Sequence, residues 1–500
     1  MDQQAKQAAI ALAKANAARL SHHHLYDGQL RPASTGKSFP VYSPATREQI
    51  GSAADGNAED VNRAVQAAVK AQKSWAAIGA TARGKYVREA AQILTTHTEE
   101  IATLLALETG KAIRTESRVE AGVLADCFMF YAGLASELKG ETLPFAPGIL
   151  SFTQREPIGV VGAILPWNAP LMLMAFKIAP AMVAGNTVVI KSAEEAPLST
   201  LRVVEILNQA LPAGVVNLLS GDGPTCGGPL VAHPSVGKVT FTGSVETGKI
   251  IARTAADRLI PTTLELGGKS PMIVMADADL DLAVRGAVSG MRFTRQGQSC
   301  TAASRILVQK PLLQEFVTRL AQAVNGLRMG DPLEEDTDIG TIISQAQFDR
   351  VKSYIHLGEQ SDGAQVMHLS ALPTESSLKN GFYVQPVVVT GVDNTHRLAR
   401  EEIFGPVTCV IAFEDYEEAI AIANDSDFGL AATIWTNNLQ QALDATQRLQ
   451  AGLVQVNQNI VAQPGISYGG IKQSGIGKEA SMEAMLEHFT HKKTILINMA

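Results

Sequence analysis

The chain is poor in cysteine, with four in 500 residues: Cys127, Cys226, Cys300 and Cys409. They lie far apart, with no CxxC and no zinc-type spacing, which excludes a disulfide scaffold and gives no metal site. A reducing compartment such as the cytoplasm is expected. Aromatic residues make up only 5% of the chain, and positive charge is outweighed, leaving a net charge of -7. Non-specific nucleic-acid binding needs a basic face to displace counterions, so nucleic acid is not an expected partner. No apolar run reaches the ~18–20 residues of a membrane span. The longest runs, 158–165 and 179–190, are interrupted by Gly, Pro or Asn. The Ala-rich residues 1–20 lack a basic segment leading into an apolar core and read as a frayed helix, not a secretory signal. His22, His23 and His24 are consecutive, so they point in different directions on any regular element and do not read as metal ligands. The dinucleotide fingerprint G-x-G-x-x-G is missing after the first strand of the βα region, and Gly221-Asp222-Gly223-Pro224 does not replace it.

What is present is a chain that is 46% apolar and 18% charged, with 42 glycines. That is the profile of a globular enzyme rich in βα turns, long enough for two or three domains. Residues 57–115 carry apolar side chains at helical spacing, with Val61, Ala64, Val65, Ala68 and Ala71 forming one stripe. Pro144, Pro147 and Gly148 break this block, and 150–155 alternates as a strand does. From 159 to 275 strands and helices alternate. Strands are expected at 159–165, 187–191, 215–219, 238–242 and 262–266, with helices at 171–183 and 198–211, near 226–233 and from Ser244. This alternation implies a mostly parallel sheet covered on both faces, whose ligands gather at the carboxyl ends of the strands. A second αβ region runs from about 280 to 465, with strands at 305–309, 407–413, 432–435 and 453–457. A helix near 482–488 precedes a β-branched strand at 494–497, of the kind that pairs with another subunit.

Three segments at strand ends carry chemistry. Gln296-Gly297-Gln298-Ser299-Cys300 presents a cysteine beside a glycine that lets the backbone approach a ligand. A cysteine alone is more often a small buried hydrophobe. Leu264-Glu265-Leu266-Gly267-Gly268-Lys269-Ser270-Pro271 sets a carboxylate between leucines, where desolvation raises its pKa and suits it to general-base work. An edge-strand surface glutamate is the alternative. Leu165-Pro166-Trp167-Asn168-Ala169-Pro170 puts an amide at the end of the first buried strand, where it either donates into a cleft or caps a turn.

Taken together with Lys191-Ser192-Ala193-Glu194, Phe241-Thr242-Gly243-Ser244, Glu401-Glu402-Ile403-Phe404-Gly405-Pro406-Val407 and Gly469-Gly470-Ile471-Lys472-Gln473-Ser474-Gly475, these segments resemble the NAD(P)-dependent aldehyde dehydrogenase superfamily, in the family's order, from about Leu25 to Asn498. The resemblance implies an α/β fold with two parallel-sheet αβ domains and a small β arm. The expected divisions are a Rossmann-like dinucleotide-binding domain at 1–139 and 158–265, a catalytic domain at 266–470, and an oligomerisation arm at 140–157 and 480–500. A homodimer or homotetramer follows from the same likeness.

It also implies roles. Cys300 is the nucleophile that attacks the aldehyde, Asn168 and the Cys300 N–H hold the oxyanion, and Glu265 activates the water that hydrolyses the thioester. Lys177 supports them. NAD is the implied cofactor, with its diphosphate at the helix that begins after Phe241, Gly243 and Ser244. Lys191 and Glu194 lie at the adenine ribose, where a carboxylate accepts from both hydroxyls and repels a 2′-phosphate, favouring NAD over NADP. Glu402 and Phe404 match the residues that hold the nicotinamide ribose, and Leu165, Trp167, Gly223 and Leu266 complete the cofactor set. The substrate tunnel is implied near Ala169, Leu173, Phe176, Thr294, Ser299, Ala462 and Tyr468. Small residues at Ala169, Thr294 and Ala462 suggest a wider or more polar mouth. Arg292 and Arg295 flank the catalytic loop and read better as ion-paired or surface residues than as partners of an acidic substrate tail. The remaining cysteines, with Trp75 and Trp435, read as packing residues. Within the same fold, resolution of the thioester by CoA or phosphate is the rival chemistry, which the presence of Glu265 disfavours. A catalytically idle binding or structural member is the rival from another class, and intact Cys300, Glu265 and Asn168 argue against it.

Overall fold

The computed structural model describes residues 3–459 and 463–499, so the expectation for Ala462 lies outside the described residues. Two large sheets and three two-stranded ribbons organise the described residues, the longest ribbon being the one built from Ile149–Pro157 and Thr490–Asn498. The first sheet has eight strands, in the order Gln29–Pro32, His23–Tyr26, Val216–Leu219, Thr187–Lys191, Val160–Ile164, Val236–Thr242, Thr262–Glu265 and Gly475–Ile476. Its five central strands are mutually parallel. Val160–Ile164 and Thr187–Lys191 are buried along their whole length, as β-branched and small residues covered on both faces should be. The helix Pro170–Val183, which connects them, is also buried throughout and starts on a proline, whose missing N–H costs nothing at a first helical position.

The second sheet has seven strands, in the order Gln365–His368, Val387–Thr390, Val407–Phe413, Arg305–Gln309, Pro271–Val274, Ala431–Trp435 and Leu453–Val456. All are parallel except the first, an edge strand. The chain passes from the first sheet to the second between Glu265 and Pro271. The ribbon pairs Ile149–Pro157 with Thr490–Asn498, antiparallel, over its full length.

The structure differs from the sequence expectations in several places. Residues 3–20 form an ordered helix whose Ala13, Ala17 and Leu20 are buried in the main core, so it is packed and not frayed. Strands Pro271–Val274 and Val387–Thr390, and the hairpins between residues 23 and 54, were not expected; each is short, and polar residues flank it closely. The helix at 198–211 stops at Leu207. The continuous helical run Ile113–Glu137 is long and apolar enough to cross a bilayer by length and composition alone, which hydropathy in short windows missed. Half of it is buried, and Ala121, Leu124, Cys127, Phe128 and Tyr131 pack in the main core, where the run meets Ala80–Thr96 and Pro170–Val183. That is the behaviour of a core helix.

One buried pair holds the first catalytic-type turn in place. Glu120 accepts from the Leu171 N–H at 2.8 Å and the Met172 N–H at 3.3 Å, and it pairs with the buried Lys111 ammonium. Lys111 in turn donates to the Asn168 carbonyl at 3.2 Å. Breaking such a pair strands a buried charge, at a cost of about 3–5 kcal/mol. Glu120→Ala should therefore unfold at a clearly lower temperature than the parent in a thermal melt. An unchanged transition would show that this pair does not hold the turn.

Candidate active site

The carboxyl edge of the first sheet is a row set by strand register. Leu219, Lys191, Ile164, Phe241 and Leu264 are successive cross-strand partners, so the segments that follow them emerge side by side. Asn168 follows the central strand, buried, and its Nδ2 donates to the Gln298 carbonyl at 3.2 Å. That contact ties the first sheet's edge to the loop carrying Cys300.

This loop arrives from the second sheet, at the amino end of Arg305–Gln309. Arg292 and Gln296 sit in the left-handed region at φ 58° and 57°, and Gly297 at φ 62°. Strain of this kind persists only where the surroundings over-determine it, and here they do. Gln298 donates to the Thr341 carbonyl at 3.2 Å and accepts from the Ile343 N–H at 3.1 Å, while Gln296 donates to the Gly340 carbonyl at 2.9 Å. A Cβ on Gly297 would overlap the Gly405 carbonyl, so no other residue fits there.

Cys300 is partly exposed, whereas Cys127, Cys226 and Cys409 are buried, as expected of packing residues. Its Sγ lies 3.0 Å from the Tyr468 hydroxyl. Its N–H makes no hydrogen bond among the described residues. Burial pushes the thiol up to about 11; the Tyr468 hydroxyl pulls it down, and the Glu265 and Glu402 carboxylates push it up. The resting site therefore holds a thiol, with one donor poised to stabilise the thiolate.

Two clefts meet at Cys300. The larger is walled by Trp167, Gly243, Ser244, Leu266, Glu402 and Phe404 among others. The smaller is walled by Ala169, Leu173, Arg292, Ser299, Thr301 and Tyr468 among others. Among the described residues, Asn168 and Cys300 alone line both. A bigger groove elsewhere, beside His356, Leu372 and Tyr383, contains none of these groups.

Glu265 is buried behind the thiol, and both its carboxylate oxygens lack a hydrogen-bond partner. Burial, and then repulsion from Glu479, holds its pKa well above the ordinary carboxylate range, against the pull of Lys177 and Lys478. It packs toward Gly469, where φ is +148° and a Cβ would come within 2.6 Å of its Oε1. Lys177, expected in a supporting role, lines neither cleft; its ammonium donates to Glu479 at 2.6 Å in the core and acts on Glu265 through charge. Leu165 and Phe241 are buried at the ends of their strands, and the Phe241 ring lies against Gly243 on the wall of the larger cleft.

The larger cleft fits a dinucleotide. The helix Val245–Ala256 points its amino end there, with Ser244 capping the Thr247 N–H at 3.2 Å, and free N–H groups at such an end favour a phosphate. Glu402 accepts from the Gly268 N–H at 2.9 Å through one oxygen, leaving the other for a hydroxyl. The buried Thr242 hydroxyl has no partner. Lys191 and Glu194 lie off this wall, at the end of the adjacent strand, paired at 2.9 Å, and Gly223 begins the turn beyond the next strand. Of the implied tunnel residues, Phe176 is buried against Tyr468, with ring centroids 6.4 Å apart, and Thr294 donates to Glu116 at 2.5 Å. The supporting groups Lys111, Glu116, Glu120 and Glu479 were not foreseen. Glu116 and Glu479 lie far along the chain from their partners, and Lys111 and Glu120, although nine residues apart, lie in a segment with no motif.

A nucleophile-bearing cleft joined to a dinucleotide cleft defines an oxidoreductase with a covalent intermediate. The chain belongs to the aldehyde dehydrogenase family, whose sequence pattern matches residues 31–495. A Bacillus subtilis (strain 168) protein named DhaS is 39% identical over 476 residues, 95% of each chain. Among solved structures, PnpE from Pseudomonas sp. WBC-3, in complex with nicotinamide adenine dinucleotide, superposes with a TM-score of 0.93 at 39% identity, over 96% of this chain and 98% of that one. The betaine aldehyde dehydrogenase of Staphylococcus aureus, in complex with NAD+, gives 0.91 at 36% identity, over 96% of this chain and 95% of that one.

The Tyr468 contact is directly testable. A hydrogen bond to a charged group contributes about 1.5–3 kcal/mol, or roughly one to two pH units on the thiol. Tyr468→Phe should slow alkylation of Cys300 by iodoacetamide at fixed pH by about 10- to 100-fold, followed by mass spectrometry. Equal rates would show that the hydroxyl does not stabilise the thiolate.

Proposed function

We propose that the protein oxidises an aldehyde to a carboxylic acid, with NAD in the larger cleft and the aldehyde entering through the smaller one. The observation that carries this is the shared wall: among the described residues, Asn168 and Cys300 alone face both clefts. Cys300 gives its proton to solvent water, the Tyr468 hydroxyl donates to the resulting thiolate, and the thiolate attacks the aldehyde carbon. The oxygen that becomes negative is held by the Asn168 amide and the unpartnered Cys300 N–H, giving a thiohemiacetal. NAD, when bound, supplies the hydride acceptor, and loss of hydride from the thiohemiacetal carbon leaves a thioester on Cys300. Glu265 turns its unpartnered carboxylate toward the thioester, takes a proton from water and releases the acid. Because its pKa is raised, this step accelerates as pH rises above the ordinary carboxylate range.

The dinucleotide-binding unit is read as 1–139 with 158–265 and the catalytic unit as 266–470. The ribbon of 140–157 with 480–500 is the oligomerisation arm. A two-stranded ribbon is marginal alone, and Phe145, Leu150, Leu496 and Ile497 are exposed on or beside it. Cover by further copies in a homodimer or homotetramer accounts for both, and a monomer by light scattering would remove that reading. The net charge of -7 speaks against a nucleic-acid partner, and a half-exposed reactive thiol suits the cytoplasm.

Cofactor preference rests on Glu194, which holds Lys191 and would repel a 2′-phosphate. In an aldehyde panel with NAD and NADP, the parent should reduce NAD preferentially and Cys300→Ala should reduce neither. Glu194→Ser, by freeing Lys191, should raise the NADP-to-NAD ratio of kcat/KM about tenfold or more. Activity retained in Cys300→Ala would overturn the mechanism, and an unchanged ratio would overturn the role of Glu194.

A further inference from the structure

Among the described residues, the smaller cleft contains a cation with no hydrogen bond and no ion pair of its own. Three cations sit around the cleft: Lys111, Arg292 and Arg295. Two carboxylates answer them, and both are fully used. Glu116 takes the Thr294 hydroxyl on one oxygen, and on the other the Arg295 Nε at 2.7 Å and Nη2 at 2.6 Å. Glu120 takes Lys111 on one oxygen and the Leu171 and Met172 N–H groups on the other. Arg295 is thus the ion-paired residue that both arginines were expected to be. Arg292 is not: its guanidinium has no hydrogen bond and no ion pair among the described residues. It lines the same small cleft as Cys300, Asn168 and Tyr468. Its backbone is held in the left-handed region, which a non-glycine residue adopts at a cost.

We infer that Arg292 is the specificity residue of the substrate cleft and that the aldehyde it selects carries a carboxylate at its far end. The inference rests on the aldehyde-oxidising reading above and names the substrate class of that site. A planar guanidinium with free donors takes a carboxylate through two parallel hydrogen bonds, the geometry in which arginine outperforms lysine. Burial, and then the like charge of Arg295, pushes Arg292 down to about 10, so an incoming anion relieves a repulsion already present in the free protein. Ala169, Met172 and Leu173 give the wall an apolar patch that suits the methylene chain between aldehyde and acid, beside the polar Asn168, Ser299, Thr301 and Tyr468. With the aldehyde carbon at Cys300, the carboxylate at Arg292 fixes which end enters first.

The test compares ω-oxo acids with n-alkanals of the same chain length, by NADH formation. The parent should favour the best oxo acid by about 10- to 100-fold in kcat/KM, mostly through KM, as loss of a charge-assisted bidentate contact implies. In Arg292→Gln that ratio should fall to near unity, and Arg292→Lys should recover part of it. A parent that prefers alkanals, or an Arg292→Gln that lowers both series in proportion, overturns the inference. A second measurement does not need turnover. Unreactive dicarboxylates such as succinate and glutarate should protect Cys300 of the parent from iodoacetamide and protect Arg292→Gln at least tenfold less well. No protection of the parent overturns the inference even if no aldehyde is oxidised. Protection without any aldehyde oxidation would leave Arg292 a carboxylate site and remove the oxidation reading instead.

Discussion

The site depends on the crossing of Gly267 and Gly268 between the two sheets. Here the chain leaves Glu265 at the carboxyl edge of the first sheet and reaches the second at Pro271, pressed between two other segments. A Cβ on Gly267 would overlap the Glu402 carboxylate, and one on Gly268 would overlap the Cys300 carbonyl. The Gly268 N–H binds Glu402 directly. Three segments distant in sequence are therefore brought together by two missing side chains, the Cys300 segment through its backbone and the Glu402 segment through its carboxylate. That contact makes the carboxyl edge of one sheet and the amino edge of the other into a single site.

Around this crossing, charge is distributed by function. The structural ions are paired: Lys111 with Glu120, Arg295 with Glu116, Lys177 with one oxygen of Glu479. Buried pairs of this kind add little net stability but fix positions, because losing one partner is costly. The groups at the clefts are left without partners among the described residues: both oxygens of Glu265, the Cys300 N–H and the Arg292 guanidinium. Free energy spent on leaving them dry is recovered only when substrate and its developing charge arrive, which is how a site favours a transition state over its own resting form.

Much of this was legible in the sequence, for physical reasons. The five central strands of the first sheet are buried on both faces, so their runs of Val, Ile and Leu stand out from the polar turns between them. Cys300, Glu265 and Asn168 were legible because their loops need glycine or proline at fixed offsets, and those residues form patterns. Strand Pro271–Val274 was not, because the buried but polar Lys269 and Ser270 directly before it blur its start. The ion pairs could not be read at all: Lys177 and Glu479 are 302 residues apart, and only the fold makes them neighbours. The same holds for Arg292 and Arg295, which look alike in sequence and differ only in that one reaches Glu116.

The central claim is that one thiol, set between two clefts, carries the acyl group. Mass spectrometry of Glu265→Gln mixed with aldehyde and NAD tests it most directly. With hydrolysis blocked, the protein should release one equivalent of NADH per active site and gain the mass of the acyl group on the peptide containing Cys300, and only when NAD is present. An adduct on another residue, or NADH formed without any adduct, would contradict the account.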